Sequence, residues 1–244
     1  RRPDRSRSRS FREPARGSSQ RPGAVPRGVF VTGTDTGVGK SVVSATLFHR
    51  YRRGRRLRYW KPIQTGIESD DDTADVARLA ECKEADICSQ GVRLARPVSP
   101  HLAARLSGYT IDTDQLVASF RHQDRDDRWI VEGAGGVLVP INDGDTMADL
   151  MVRLGLPVVV VARTALGTIN HTLLTLEALR VRSLEIAGVV MVGPEDADAC
   201  EAIERCGRTV VLGQMPPLVP LTAAALATWA PKLDPTDQLR EFLS

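Results

Sequence analysis

Apolar runs and polar intervals alternate along this chain from residue 28 onward. Val29–Thr32, Leu57–Trp60, Trp129–Val131, Pro157–Ala162, Ile186–Val192 and Thr209–Leu212 are short runs dominated by branched and aromatic residues, the mark of buried strands. Helical patterns lie between them. Val42–Arg53 carries its apolar residues at Val42, Ala45, Leu47 and Phe48. Asp72 or Thr73 caps a helix through Leu79, and Ser99 with Pro100 at the first helical position starts another through Leu106. Thr113 or Asp114 caps a helix through Phe120, and Met147–Leu154, Ile169–Arg180 and Asp196–Arg205 read as three more. Strands apolar on both faces, alternating with helices, predict an α/β fold with a mostly parallel sheet and helices on both faces, three layers in all. Ligands of such sheets sit beyond the carboxyl ends of the strands, so the residues after each strand are the place to look for chemistry.

Composition changes this picture little, and charge changes it once. The 244 residues suit one α/β domain over 28–244, with 42% hydrophobic and 26% charged residues. Formal net charge is +3, which invites an acidic partner. Residues 1–27 hold nine Arg against Asp4 and Glu13, a local +7, so the remaining 217 residues carry −4. The basic character belongs to a tail, and a nucleic-acid partner for the body loses its support. The tail is rich in Arg, Ser, Pro and Gly with few apolar residues, and it is expected to be disordered. Cys82, Cys88, Cys200 and Cys206 form no CxxC pair, which fits free thiols in a cytoplasmic protein. The longest apolar run, PVVVVA at 157–162, is far too short to cross a membrane.

Candidate chemistry follows the strands. After the first comes GTDTGVGKS, Gly33 to Ser41, a Gly-rich turn ending in Gly-Lys-Ser before a helix. Backbone N–H groups and a helix N-terminus there would cradle phosphates; Lys40 would reach the outer ones and Ser41 would ligate Mg²⁺. Thr34 stands where the strict GxxxxGK[ST] spacing wants its first glycine, and Gly33 lies one residue further out. After the second strand, KPIQTG places Lys61 at the same end of the sheet. The chain has only four Lys among its 33 basic residues, so two at strand ends suggest a need for a compact ammonium. Asp70, Asp71 and Asp72 open the next helix, and EGAGG, Glu132 to Gly136, follows Trp129–Val131. Ser41, one Asp of that run and Glu132 form an all-oxygen set suited to Mg²⁺. LGTIN, Leu166 to Asn170, opens a helix whose free N–H groups suit a substrate carboxylate, with plain capping by Thr168 as the equal alternative.

Taken together, GTDTGVGKS, KPIQTG, the acidic run at 70–72, PVSPH at 97–101, VEGAGGVLVP at 131–140 and LGTINH at 166–171 resemble the dethiobiotin synthetase family in order and spacing. The resemblance covers roughly residues 28–230, and the off-register phosphate loop is that family's own form. It implies a P-loop NTPase-like fold and an ATP- and Mg²⁺-dependent ligase of biotin biosynthesis. In such a ligase 7,8-diaminononanoate (7,8-diaminopelargonate) and CO₂ or bicarbonate give dethiobiotin through a carbamate and a carbamic–phosphoric anhydride. By position, Lys40 and Lys61 would be the catalytic cations, with Lys61 nearest the carbamate and γ-phosphate. Gly37, Val38, Gly39, Lys40, Ser41 and Val42 would form the ATP loop, and Ser41, Asp72 and Glu132 the Mg²⁺ set. Asp72 is preferred to Asp70 and Asp71 because its spacing from the following helix matches the family. Glu132, Gly133, Ala134 and Gly135 would lie between nucleotide and substrate, with Thr36 and Thr65 contacting substrate. Gly167, Thr168 and Asn170 would grip the substrate carboxylate from a neighbouring subunit, implying a homodimer with shared sites. Pro216, Pro217 and Leu218 resemble the loop that passes the adenine.

One departure stands out. Many family members read adenine with an Asn after the strand matching Ile186–Val192, whereas here the stretch is Met191-Val192-Gly193-Pro194. Val offers no hydrogen bond to a base, so looser nucleotide selectivity is expected. Two relatives of the fold compete as readings. Partition or septum-site ATPases carry an extra Lys early in the loop, where this chain has Asp35, and cobyrinate-type amide synthases carry a glutaminase domain that 244 residues leave no room for.

Overall fold

The computed structural model describes residues 26–54 and 56–244. The expected disorder of residues 1–27 falls almost wholly outside these, except that Arg27 already belongs to the first strand and pairs with Arg128.

Seven strands form one sheet: β1 (Arg27–Gly33), β2 (Leu57–Trp60), β4 (Ile87–Cys88), β6 (Arg128–Gly136), β7 (Val158–Arg163), β8 (Ile186–Val192) and β9 (Val211–Met215). Their order is β4-β2-β6-β1-β7-β8-β9, and every pairing is parallel. A small second sheet pairs β3 (Ile63–Thr65) with β5 (Val92–Leu94). Parallel neighbours need crossovers, and the helices that supply them cover both faces. Phe30, Val131, Val158, Val160 and Val189 point to one face. There they meet α3 (Pro100–Leu106), α4 (Thr113–Arg121), α5 (Met147–Leu154), α6 (Thr168–Arg180) and α7 (Ala197–Gly207). Val29, Val31, Ile130, Val159, Val161 and Val190 point to the other, against α1 (Lys40–Tyr51), α2 (Asp72–Leu79), α8 (Ala223–Trp229) and α9 (Arg240–Leu243). The three expected layers are present. Aromatic packing fixes α4 on the sheet: Phe120 stacks on Trp60 at 5.3 Å between centroids and meets Trp129 edge-on at 5.6 Å.

Several boundaries differ from expectation for physical reasons. The helix expected over Val42–Arg53 begins two residues earlier, at Lys40, because Gly39 in the left-handed region (φ 97°) lets the phosphate loop turn directly into it. The helix at 72 is capped by Asp71, whose carboxylate accepts from the N–H groups of Thr73 and Ala74; neither Asp72 nor Thr73 caps it. Asp112, not Thr113 or Asp114, caps α4. Gly167 precedes α6 as its cap residue, so Thr168 is its first helical residue, and the Thr168 hydroxyl, buried, makes no capping bond. The strand expected to stop at Val131 continues through Gly136, so Glu132–Gly136 are part of β6 and not a loop after it. The same strand lies between β2 and β1, which puts its carboxyl-terminal half at the centre of the sheet.

Candidate active site

The carboxyl ends of β1, β2 and β6 open into a cleft of about 620 Å³. The phosphate loop forms one wall. Its geometry explains the glycine at 33, because a Cβ there would meet Val38 Cγ2 at 2.6 Å and the Asp35 carbonyl at 2.9 Å. Thr36, Gly37, Gly39, Lys40, Ser41 and Val42 face the cleft, while Val38 turns inward and is buried. Across from them are Lys61, Thr65, Asp72, Ala134 and Gly135. Residues expected in one place but drawn from four separate stretches of sequence thus share one cavity.

Glu132 lies behind the wall, fully buried, and organises the cations and hydroxyls in front of it. Lys61 Nζ, only 2% exposed, lies 2.8 Å from Glu132 Oε1 and 2.6 Å from Asp72 Oδ2. Its ammonium therefore bridges two carboxylates, and it also lies 3.5 Å from the Gly133 carbonyl. Ser41 Oγ is 2.8 Å from Asp72 Oδ1 and 2.9 Å from Glu132 Oε1, and its single proton can serve one of them at a time. Ser44 Oγ and Tyr59 OH donate to Glu132 Oε2 at 2.9 and 3.0 Å. On the loop side, Lys40 Nζ donates to the Asp35 carbonyl at 2.9 Å.

These contacts set the charges. Burial alone would pull the Lys61 ammonium down, but the Glu132 and Asp72 carboxylates reverse this and hold it above the ordinary lysine value. Burial pushes Asp72 up, and the adjacent Lys61 overrides it, so Asp72 stays below the usual aspartate range. Lys40 has no such partner: burial first, then the nearby Lys61 charge, lowers it to about 8. Burial, and then the Glu132 charge, raises Tyr59 well above the usual tyrosine value, so its hydroxyl remains a donor.

The oxygens of Ser41, Asp72 and Glu132 converge on one point with fewer protons than lone pairs, which is the environment of a hard cation. Among the described residues no three His, Cys, Asp or Glu side chains cluster as a metal cage. Mg²⁺ does not require one, since it commonly binds through one or two carboxylates plus substrate phosphates. The residues present fit that ion.

Other expected residues lie apart. Pro216, Pro217 and Leu218 follow β9, outside the lining of the cleft, with Leu218 packed partly against the α1 side of the core. Gly167, Thr168 and Asn170 sit at the start of α6 and are not in the cleft of their own chain. The structure also brings in residues that the motifs did not flag. Ser44 lies one turn beyond Ser41, and Tyr59 lies two residues before Lys61, spacings that put each near its partner. Gln64, fully buried, donates to the Asp70 carbonyl and to Asp71 Oδ1, and accepts from the Thr73 hydroxyl. It ties β3 to the start of α2 and so fixes where Asp72 stands. Pro97, Val98, Ser99 and Pro100 add a mostly apolar wall.

Comparisons with known proteins bear on the family and the fold. Residues 27–225 match a family model described as an AAA domain. The chain is 50% identical over 205 residues to an ATP-dependent dethiobiotin synthetase of Paramagnetospirillum magneticum, covering 84% of this chain and 95% of that one. It is 43% identical over 214 residues to an ATP-dependent dethiobiotin synthetase of Rhodopseudomonas palustris, covering 87% and 97%. It is also 46% identical over 215 residues to a biotin biosynthesis bifunctional protein of Bordetella avium, of which it spans 44%. Among solved structures, it resembles a putative plasmid partition protein from Borrelia burgdorferi bound to AMPPNP, with a TM-score of 0.52 at 13% identity over 89% of this chain and 98% of that one. A septum site-determining protein from Pyrococcus horikoshii complexed with Mg-ADP gives a TM-score of 0.51 at 15% identity over 89% and 93%. These two likenesses concern the fold, a P-loop nucleotide-binding architecture, whereas identity above 40% across nearly the full length of single-function relatives concerns the family. The chain belongs to the ATP-dependent dethiobiotin synthetase family.

Proposed function

We propose that this chain makes dethiobiotin from 7,8-diaminononanoate, CO₂ and ATP. The observation that carries the reading is the buried Lys61 ammonium, held by Glu132 and Asp72 beside a phosphate loop. A positive charge fixed in a dry cleft next to a nucleotide site suits a reaction in which negative charge passes from a phosphoryl group to a carbamate.

The chemistry runs in three steps. One amine of the substrate attacks CO₂ and loses a proton, giving a carbamate. A carbamate oxygen attacks the γ-phosphorus of ATP and ADP departs, leaving a carbamic–phosphoric anhydride. The second amine attacks the carbonyl carbon and loses a proton, and phosphate leaves as the ureido ring closes. Gly37 to Val42 would hold the phosphates through backbone N–H groups and the start of α1. Lys40 would leave the Asp35 carbonyl for a phosphate oxygen, and Lys61 would face the γ-phosphoryl and carbamate oxygens. Ser41, Asp72 and Glu132 would hold Mg²⁺, which when bound neutralises charge on the phosphate oxygens. Thr36 and Thr65, with Ala134 and Gly135, would position the diamine so that ring closure is intramolecular. Phosphate release should require diamine and bicarbonate together and match the diamine consumed; release at the same rate without diamine would favour a switch-type ATPase.

A homodimer follows from the same reading. Gly167, Thr168 and Asn170 lie outside their own cleft, so they can grip a substrate carboxylate only in a neighbouring subunit. A second depression of about 510 Å³, lined in part by Thr34–Thr36, Leu138, His171 and Leu174, offers apolar surface beside the loop for that neighbour.

Nucleotide choice should be loose. A Cβ at Gly39 would meet Val192 Cγ1 at 3.2 Å, so the end of β8 lies against the phosphate loop with an apolar side chain, which could offer a nucleotide base no side-chain hydrogen bond. Turnover with CTP and GTP is expected within about tenfold of that with ATP, since one missing neutral hydrogen bond is worth about 1 kcal/mol. A preference for ATP beyond a thousandfold would contradict this.

A further inference from the structure

We infer that Tyr59 and Ser44 are positioning residues that fix which oxygen of Glu132 is presented to Mg²⁺. The inference rests on the metal role given to Ser41, Asp72 and Glu132 above. A glutamate carboxylate rotates freely about its last torsion, which has a broad, twofold profile. Its two oxygens are therefore interchangeable unless something distinguishes them. Here Oε2 receives two hydroxyl donors, Ser44 Oγ at 2.9 Å and Tyr59 OH at 3.0 Å. Oε1 faces Ser41 Oγ at 2.9 Å and Lys61 Nζ at 2.8 Å. Glu132, Ser44 and Tyr59 are all fully buried, so water cannot readily replace a lost donor. The hydroxyl pair thus holds Oε2 on the core side and turns Oε1 toward the cleft, where it meets the Lys61 ammonium and the Ser41 hydroxyl and would meet Mg²⁺. The two donors come from different elements, Ser44 from α1 and Tyr59 from β2, so they fix the plane of the carboxylate relative to both the phosphate loop and Lys61. Groups that orient a metal ligand in this way commonly change metal affinity about 10–100-fold when removed.

The test measures ADP binding by calorimetry, with and without Mg²⁺, for the full chain, Tyr59→Phe and Ser44→Ala. Each variant removes one hydroxyl. Tyr51→Phe is the matched control, because Tyr51 also donates to a buried carboxylate, Asp234 at 2.6 Å, at the opposite end of α1 from the cleft. The expected result is that Mg²⁺ tightens ADP binding to the wild type, and that this gain shrinks about tenfold in Tyr59→Phe and in Ser44→Ala. Metal-free ADP affinity should stay within twofold of wild type in both. The half-saturating Mg²⁺ concentration for turnover should rise by a similar factor, with kcat recovered at high Mg²⁺. Tyr51→Phe should lower Tm with no change in Mg²⁺ dependence. If either variant fails to fold, the other carries the measurement, and thermal melts establish folding first. A Mg²⁺ gain unchanged in both folded variants, or lost equally in Tyr51→Phe, overturns the inference and leaves the metal set standing. A wild type whose ADP affinity ignores Mg²⁺ overturns the metal set and the inference with it. The ADP binding measurement needs no diamine, so neither overturning result depends on the ring-closing reaction.

Discussion

Lys61→Ala is expected to lower turnover by about 10²–10³-fold while nucleotide affinity falls by less than about tenfold. The asymmetry follows from where the ammonium stands. In the proposed complex Lys40 and the loop backbone would meet the bound phosphates directly and so dominate ground-state affinity. Lys61 lies deeper, between Glu132 and Asp72, and its charge counts most when negative charge develops on the transferring phosphoryl and carbamate oxygens. Its burial, at 2% exposure, keeps water from substituting for it. Lys61→Arg should not restore activity, because a planar guanidinium cannot occupy the space of a compact ammonium gripped at 2.6 and 2.8 Å. Steady-state kinetics beside nucleotide titrations check this; equal losses in kcat and affinity would place Lys61 in ground-state phosphate binding instead.

Glu132→Ala should be the most destabilising change in the site. The carboxylate lies within hydrogen-bond distance of four donors, and removing it leaves the buried Lys61 ammonium with only Asp72 and the more distant Gly133 carbonyl and the Ser44 and Tyr59 hydroxyls without their acceptor. Breaking a buried ion pair by deleting one partner costs about 3–5 kcal/mol. For a chain of this size that lowers Tm on the order of 10 °C. Turnover should be lost as fully as in Lys61→Ala. Thermal melts of Glu132→Ala and Glu132→Gln test the argument together. The amide keeps the volume and an acceptor oxygen, so Gln should recover part of the stability but little of the activity. A Glu132→Ala variant as stable as wild type would show that the four contacts are not formed together.

Most of the fold was legible because its strands are buried on both faces. Leu57–Trp60, Ile186–Val192 and Met147–Leu154 stand where their patterns put them, since nothing but periodicity and burial sets them. The reach of β6 was hidden: after Val131 the chain reads Glu-Gly-Ala-Gly-Gly, residues that favour loops, and the pairing of Glu132 and Gly136 with β1, across a register shift where Gly135 takes φ 66°, keeps them in the sheet. The strands β3, β4 and β5 are two or three residues long, too short to show a period. The cap was expected at Asp72 or Thr73, yet Asp71 takes it, held by Gln64, seven residues earlier in the chain but adjacent in space, through a contact no local pattern reveals. Most of the cleft was legible because its motifs stand at or near the carboxyl ends of β1, β2 and β6 and carry their chemistry in consecutive residues. Ser44 and Tyr59 were not, because a Ser inside a helix and a Tyr inside a strand look like ordinary core residues until Glu132 is placed between them.

In the proposed reaction this cleft joins CO₂ to both amines of one diamine at the expense of ATP. The direct measurement supplies the protein with 7,8-diaminononanoate, ATP, Mg²⁺ and ¹³C-labelled bicarbonate, and follows the product by mass spectrometry. Dethiobiotin carrying the label in its ureido carbon is expected, formed one for one with ADP and phosphate, and about 10²–10³-fold more slowly with Lys61→Ala. ADP and phosphate without labelled dethiobiotin, from folded protein and with CTP and GTP also tried, would contradict it.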